Sequence, residues 1–329
     1  MKKIQQKIRK GIVFLLLVIL SGCGNSVKKI SEEKFLFGTY INIIIYSNNE
    51  TKAKKSIELA FEKIKEIDGK YNSKNSKSVI YKINNEKNKE VEIDSELKNI
   101  LNSVRKIYIE SGKRYDITIS PLLDLWGFGK NPRAEVPKKS EIEEVLKVIN
   151  FSDVVVEKNN LKYLNNVKKI DTGSFLKGYA IEKAKNLLEK RGEKHAFITS
   201  ISSIATIGEK LENKPWRVGI QDPFNSEKTL GVIELSGNSL GVSGDYQTYV
   251  EINGKKYHHL MDTQTGYPIG DKKLVAVISK SAFLADMYST ALFSMSEKEI
   301  FKFAEKNQIE VLIIKSNGEK ITTKNFILK

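Results

Sequence analysis

One cysteine in 329 residues, Cys23, decides how this chain must hold itself together. Without a second thiol there is no intramolecular disulfide and no thiolate metal cluster, so order has to come from buried apolar side chains and satisfied polar ones. A chain with roughly 300 residues beyond that cysteine can bury a substantial core, as one large domain or two fused ones.

The surroundings of Cys23 predict its fate. Lys2, Lys3, Lys7, Arg9 and Lys10 precede the apolar run Ile12 to Leu20, and Leu20-Ser21-Gly22-Cys23 follows. A spanning helix needs roughly 20 apolar residues, and this run is far shorter, so it reads as a secretory signal ending in a lipobox. An uncleaved short anchor is the alternative. The expectation is a signal peptide at 1–22, a lipidated polar tether at 23–35 and a folded domain at 36–329. The protein would then be lipid-anchored to the cell membrane and face outside the cytoplasm, in an extracellular or periplasmic space.

Removing the signal takes five positive charges from a formal +15, and the remainder is still basic. Lysines are scattered along helix faces with no basic run interleaved with aromatics, so nucleic acid is not a predicted partner. Attraction to a polyanionic envelope and simple solubility both account for the charge.

Apolar residues recur at helical spacing in 51–67 (Ile57, Ala60, Phe61, Ile64, Ile67) and in 94–110 (Leu97, Ile100, Leu101, Val104, Ile107). Ser140 with Glu143, and Ser296 with Glu299, have the spacing of capping boxes. A further helix is predicted from about Ser174 to Lys190, ended by Gly192. Strand-like runs start at Tyr40, Phe151, Trp216, Thr229 and Leu274, and Asn253-Gly254 and Asn317-Gly318 signal two hairpins. Strand clusters separated from helix clusters predict an α+β fold with largely antiparallel or mixed sheets and packed helices. Neither a Gly-x-Gly-x-x-Gly turn nor a Walker loop is present.

Four segments carry oxygen, nitrogen or aromatic groups that chemistry would use. In "QTYVEINGKKYHHLMDTQTGYP" the two-residue turn pairs Val250 with Tyr257 and Thr248 with His259, which puts His258 and His259 on opposite faces. His259 and Asp262 are candidates for catalysis, or a strand histidine and a turn aspartate. "KKIDTGSFLKGYA" places Lys177 at a helix start, a natural anion site and also ordinary architecture. "YDITISPLLDLWGFG" either presents Trp126 and Phe128 to a flat ring or plugs a core, and the plug is the simpler reading. In "ADMYSTA", Asp286 and Thr290 stack at i and i+4. Their oxygens suit a hard cation such as magnesium, which takes few protein ligands. Equally, Asp286 complements a helix dipole while Thr290 bonds its own i−4 carbonyl.

Taken in order, "FGTYINI", "GKYNSKNSKSVIYKIN", "YDITISPLLDLWGFG", "DTGSFLKGYA", "PWRVGIQDP", "VSGDYQTYVEINGKKYHHLMDTQTGYPI" and "ADMYSTAL" resemble the ApbE family of flavin transferases, over about Phe37 to Met295. The resemblance implies a magnesium-dependent transfer of FMN from FAD to a threonine of an acceptor protein in an envelope redox system, releasing AMP. Water in place of threonine would make the chain an FAD pyrophosphatase, and binding without chemistry would make it a flavin-binding lipoprotein.

The resemblance also assigns residues. Asp286, Thr290 and the backbone carbonyl of Leu176 match the metal ligands, and Tyr71 matches an aromatic that stacks on the flavin. Asp171, Lys177, Asp245 and Thr265 match positions around the bound dinucleotide. His259, Asp262 and Lys177 match the catalytic set, with His259 or a neighbouring carboxylate assisting deprotonation of the incoming hydroxyl. The chain departs from the pattern at Ser202-Ser203-Ile204, where the family commonly reads Gly-Gly-Asp. It departs again at Asp262-Thr263-Gln264, where an arginine is common; the lost positive charge would slow the reaction or be offset by Lys177.

Overall fold

The computed structural model describes residues 26–86, 90–129, 131–165, 167 and 169–329, so the signal segment and Cys23 lie outside the described residues. Among these, an eight-stranded sheet forms the centre of the molecule. Its strands are Lys28–Leu36 (β1), Thr39–Ser47 (β2), Ala196–Thr199 (β3), Ser203–Ile207 (β4), Ser239–Gly244 (β5), Lys272–Ser279 (β6), Glu310–Lys315 (β7) and Lys320–Thr322 (β8). They lie side by side in chain order, and every neighbouring pair is antiparallel. The expected α+β class with antiparallel pairing is what the chain adopts.

Alternation decides which way each strand faces. Ile41, Ile43 and Ile45 point into one core, while Tyr40 is exposed. On β6 the two faces are both apolar: Val275 and Val277 enter that first core, Leu274 and Ala276 a second one. Burial on both sides is why this strand reads as an unbroken apolar run. The first core is closed by helices Glu50–Tyr71 (α1), Leu176–Lys190 (α2) and Ala282–Phe293 (α3) together with the helix Ser95–Glu110. The second is closed by the hairpin of Trp216–Asp222 with Asn225–Leu235. A third, smaller core holds Leu122, Trp126, Ile142, Ile252 and Met261.

Three local expectations need correcting. Residues 28–35, expected within the tether, belong to β1 and pair with β2 along its length, because Ile30 is buried against the first core. The helix expected to be capped by Ser140 starts at Lys139 instead; the Glu141 carboxylate accepts the Lys138 N–H at 2.7 Å, so the cap lies earlier. The run from Phe151 opens as a 3-10 turn before the strand at Val154, since the Asn150 side chain accepts the Ser152 N–H at 3.1 Å. By contrast Ser296 and Glu299 form the expected box, at 3.4 Å from the Glu299 N–H to Ser296 Oγ and 2.8 Å from the Ser296 N–H to Glu299 Oε2.

α3 is buried almost all round, and two glycines make that possible. A Cβ on Gly241 of β5 would lie 2.2 Å from the Ala285 carbonyl oxygen, and one on Gly178 of α2 would lie 2.6 Å from that of Ala282. Backbone therefore meets backbone on two sides of α3, which brings the side chains of three elements within hydrogen-bond reach. Gly241→Ala should push β5 and α3 apart and cost about 1–3 kcal/mol; urea unfolding of the variant beside the native protein measures it.

Candidate active site

The polar groups of α3 gather where it meets α2, β4 and β5. Asp286 is only 6% exposed, and both its carboxylate oxygens are held by neutral donors. Oδ1 accepts from Ser203 Oγ at 2.7 Å and Oδ2 from the Gly178 N–H at 2.9 Å. Gly178 lies in the first turn of α2, whose free N–H groups favour a negative charge there. Among the described residues Asp286 enters no ion pair. Burial pushes its carboxyl up from the ordinary range, while the more distant Lys177 ammonium, Ser203 and Gly178 pull it back.

Thr290 stands one turn further along α3, half-buried. Its hydroxyl contacts Ser243 Oγ of β5 at 3.2 Å and the Asp286 carbonyl only at 3.5 Å, so the i−4 bond is the weaker one. Ser243 also meets Ser289 Oγ at 2.9 Å. Lys177 donates to Ser202 Oγ, immediately before β4. Leu176 opens α2 with its side chain buried and its N–H bonded to the Thr172 carbonyl at 3.0 Å. The structure thus joins Asp286 to β4 and to the first turn of α2, and Thr290 to β5.

The donor chemistry there is compatible with a hard cation. Among the described residues no cluster of three or more His, Cys, Asp or Glu side chains could hold a metal. A site at Asp286 would rely on one carboxylate plus neutral oxygens, the combination magnesium accepts alongside water and phosphate. A buried carboxylate lacking a cationic partner is costly, by several kcal/mol in effective terms, and a bound cation would offset that.

His259 lies in the hairpin formed by Tyr249–Ile252 and Lys255–His258. Val250 pairs with Tyr257 as the Asn-Gly turn predicts, and the His259 N–H reaches the Thr248 carbonyl at 3.2 Å. Asn253 and Gly254 have φ of 52° and 73°, as this turn requires. His258 turns inward and its Nε2 meets the Ile269 carbonyl at 2.8 Å, while the His259 ring lies edge-on to Phe128, centroids 6.4 Å apart. His259 Nδ1 is 3.1 Å from the Thr248 carbonyl, which can only accept, so Nδ1 carries the proton and Nε2 keeps a lone pair. Burial, the largest cause, holds this imidazole below its ordinary 6.5.

Several predicted residues take structural places. Tyr71 is 2% exposed within the first core, and its hydroxyl donates to Asp94 at 2.7 Å and reaches Glu96 at 3.0 Å. Its ring has no free face for a flavin, which corrects the stacking expectation. Asp262 Oδ1 accepts the Gln264 N–H at 2.8 Å and shapes the turn that carries exposed Thr265. Asp171 Oδ1 accepts the Gly173 N–H at 2.7 Å ahead of α2, and Asp245 pairs with Lys273 at 2.7 Å. Trp126 is fully buried and donates to the Gly266 carbonyl at 2.9 Å, so it plugs the third core. Ser203, Ser243 and Ser289 were not legible as site residues: Ser203 meets Asp286 across 83 positions, with no spacing signal to join them.

Comparison with known proteins identifies the family and the fold. The model of the ApbE family matches residues 37–313. Curated relatives include the FAD:protein FMN transferase of Haemophilus influenzae, 26% identical over 97% of this chain and 96% of that one, and that of Vibrio cholerae, 25% identical over 91% of each. Among solved structures, the ApbE protein of Thermotoga maritima superimposes with a TM-score of 0.83 at 29% identity, covering 90% of this chain and 97% of the other. The flavin transferase ApbE of Vibrio cholerae shares the fold at a TM-score of 0.79 and 22% identity, over 92% of this chain and 100% of that one. With the family match running from β2 into β7 and the same fold throughout, this chain belongs to the ApbE family.

Proposed function

We propose that this protein transfers the FMN part of FAD to a threonine hydroxyl of an acceptor protein and releases AMP, with magnesium held at Asp286. The observation that carries the reading is the Asp286 carboxylate, buried without an ionic partner at the N-terminus of α2. The names of the curated relatives support the same activity.

In the proposed reaction the threonine oxygen attacks the FMN phosphorus, a P–O bond forms, and the pyrophosphate P–O bond to AMP breaks. Asp286, Thr290 and the Leu176 carbonyl would hold magnesium, which when bound draws charge from the pyrophosphate. Lys177 adds a positive charge beside the first turn of α2, where a phosphate oxygen is also favoured by free N–H groups. His259 Nε2 is the base that takes the threonine proton. It is suited to this because burial keeps the ring neutral and Thr248 fixes its tautomer. Asp262 shapes the turn, and Asp171, Asp245 and Thr265 flank the dinucleotide.

In this reading residues 1–22 are a signal peptide and Cys23 is lipidated, which would anchor the protein to the cell membrane facing outside the cytoplasm, where the acceptor would belong to an envelope redox system. Because β1 begins at Lys28, the tether in this reading is short, and the catalytic domain sits close to the lipid surface.

Purified protein given FAD, Mg²⁺ and a threonine-containing acceptor should yield acceptor heavier by one FMN, with AMP in equal amount. Release of free FMN without labelling would mean hydrolysis, and stable FAD with neither product would mean capture alone. Asp286→Ala should lower transfer by at least about 100-fold while circular dichroism remains native; full magnesium-dependent activity in that variant would remove the metal assignment. The transfer rate should fall on the acid side with a midpoint below pH 6.5, as the imidazole of His259 takes up a proton. A pH profile of His259→Asn, with a strongly reduced rate and no such limb, checks that sign.

A further inference from the structure

Each of the two α3 side chains proposed to hold the cation is bonded from behind by a serine of the central sheet. Ser203 of β4 donates to Asp286, and Ser243 of β5 contacts Thr290. The two strands are neighbours, with Ser203 opposite Gly241. Ser203 is fully buried, and Ser243 is 8% exposed.

A hydroxyl has one proton to give, and this fixes the direction of the bonds around Thr290. Ser289 Oγ donates to the Asp286 carbonyl at 3.0 Å, which can only accept. In its 2.9 Å contact with Ser243, Ser289 must therefore accept, and the Ser243 proton is spent there. In the 3.2 Å contact between Ser243 and Thr290 the only proton left belongs to Thr290, whose other acceptor, the Asp286 carbonyl, lies further off at 3.5 Å. Thr290 is thus a donor toward β5, and its oxygen lone pairs are turned away from that strand. Asp286 is fixed in a parallel way: with Oδ1 bonded to Ser203 and Oδ2 to the Gly178 N–H, the carboxylate cannot rotate without losing a buried bond.

We propose that Ser203 and Ser243 are positioning residues of the cation site, Ser203 locking the plane of the Asp286 carboxylate and Ser243 taking the Thr290 proton so that bare lone pairs face the ion. The assignment rests on the cation reading given above. Neither serine touches the ion; each acts through the ligand it holds, as outer partners of metal ligands do.

The test is a manganese titration followed by electron paramagnetic resonance, on purified full-length protein with FAD present. Native protein, Ser203→Ala, Ser243→Ala and Asp286→Ala are compared, with the metal-free melting midpoint of each recorded. The expected result is binding about tenfold weaker or worse in each serine variant and abolished in Asp286→Ala. Native affinity in both serine variants, with loss in Asp286→Ala, overturns the serine assignment and leaves the cation site standing. A lowered melting midpoint with native manganese affinity also overturns it, since the serines would then serve packing alone. Equal binding by all four proteins, or none by the native one, overturns the cation site and the serines together. Should Ser203→Ala fail to fold, Ser243→Ala still decides the matter.

Discussion

A carboxylate that enters no ion pair among the described residues, sealed between two helices and a sheet, is the constraint around which this molecule is arranged. Asp286 is reached by the first turn of α2 on one oxygen and by β4 on the other. Charge in such a place is unfavourable unless polar groups or an ion compensate it. The structure supplies a hydroxyl, a backbone N–H and the positive end of a helix as direct partners and the charge of Lys177 without an ion pair, and burial still drives the carboxyl upward. An ion pair with a lysine would have been cheaper to keep dry. Lys177 lies on the same turn as Gly178 and yet donates to Ser202 instead. The arrangement favours a mobile counter-charge over a built-in one.

The sheet is what makes this closeness possible. An antiparallel order that follows the chain sets β4 and β5 side by side, and the missing side chain of Gly241 lets α3 lie directly on β5. Gly178 does the same between α2 and α3. Four segments far apart in sequence then supply the network: α2, β4 and β5 give one group each, and α3 gives the side chains of Asp286, Ser289 and Thr290. Small hydroxyls direct protons here because β5 and α2 both meet α3 at backbone distance. Apolar packing of Val275, Val277 and the α3 flank excludes water from the back of the cluster.

Local signals were legible wherever a short stretch determined its own shape. The Asn253-Gly254 turn fixed the pairing of Val250 with Tyr257 because both turn residues need positive φ, and it put the two histidines on opposite faces. Helical spacing placed Asp286 and Thr290 on one helix, where they are found. What depended on distant contacts was not legible. Nothing near Tyr71 announces that Asp94 and Glu96 will accept its hydroxyl and draw its ring into the core. The polar residues from Lys28 look like linker until β2 pairs with them and Ile30 finds the helices. Ser203 and Ser243 are ordinary in their own strands and acquire meaning only beside α3.

The reading of the whole site comes down to whether a divalent ion occupies the point toward which these oxygens turn. Anomalous diffraction from a crystal of this protein soaked with Mn²⁺ and FAD measures that position without reference to turnover. The account predicts a peak at about 2.0–2.2 Å from an Asp286 carboxylate oxygen, Thr290 Oγ1 and the Leu176 carbonyl. A peak elsewhere, or none while FAD is bound and Asp286 keeps only its bonds to Ser203 and Gly178, would contradict it.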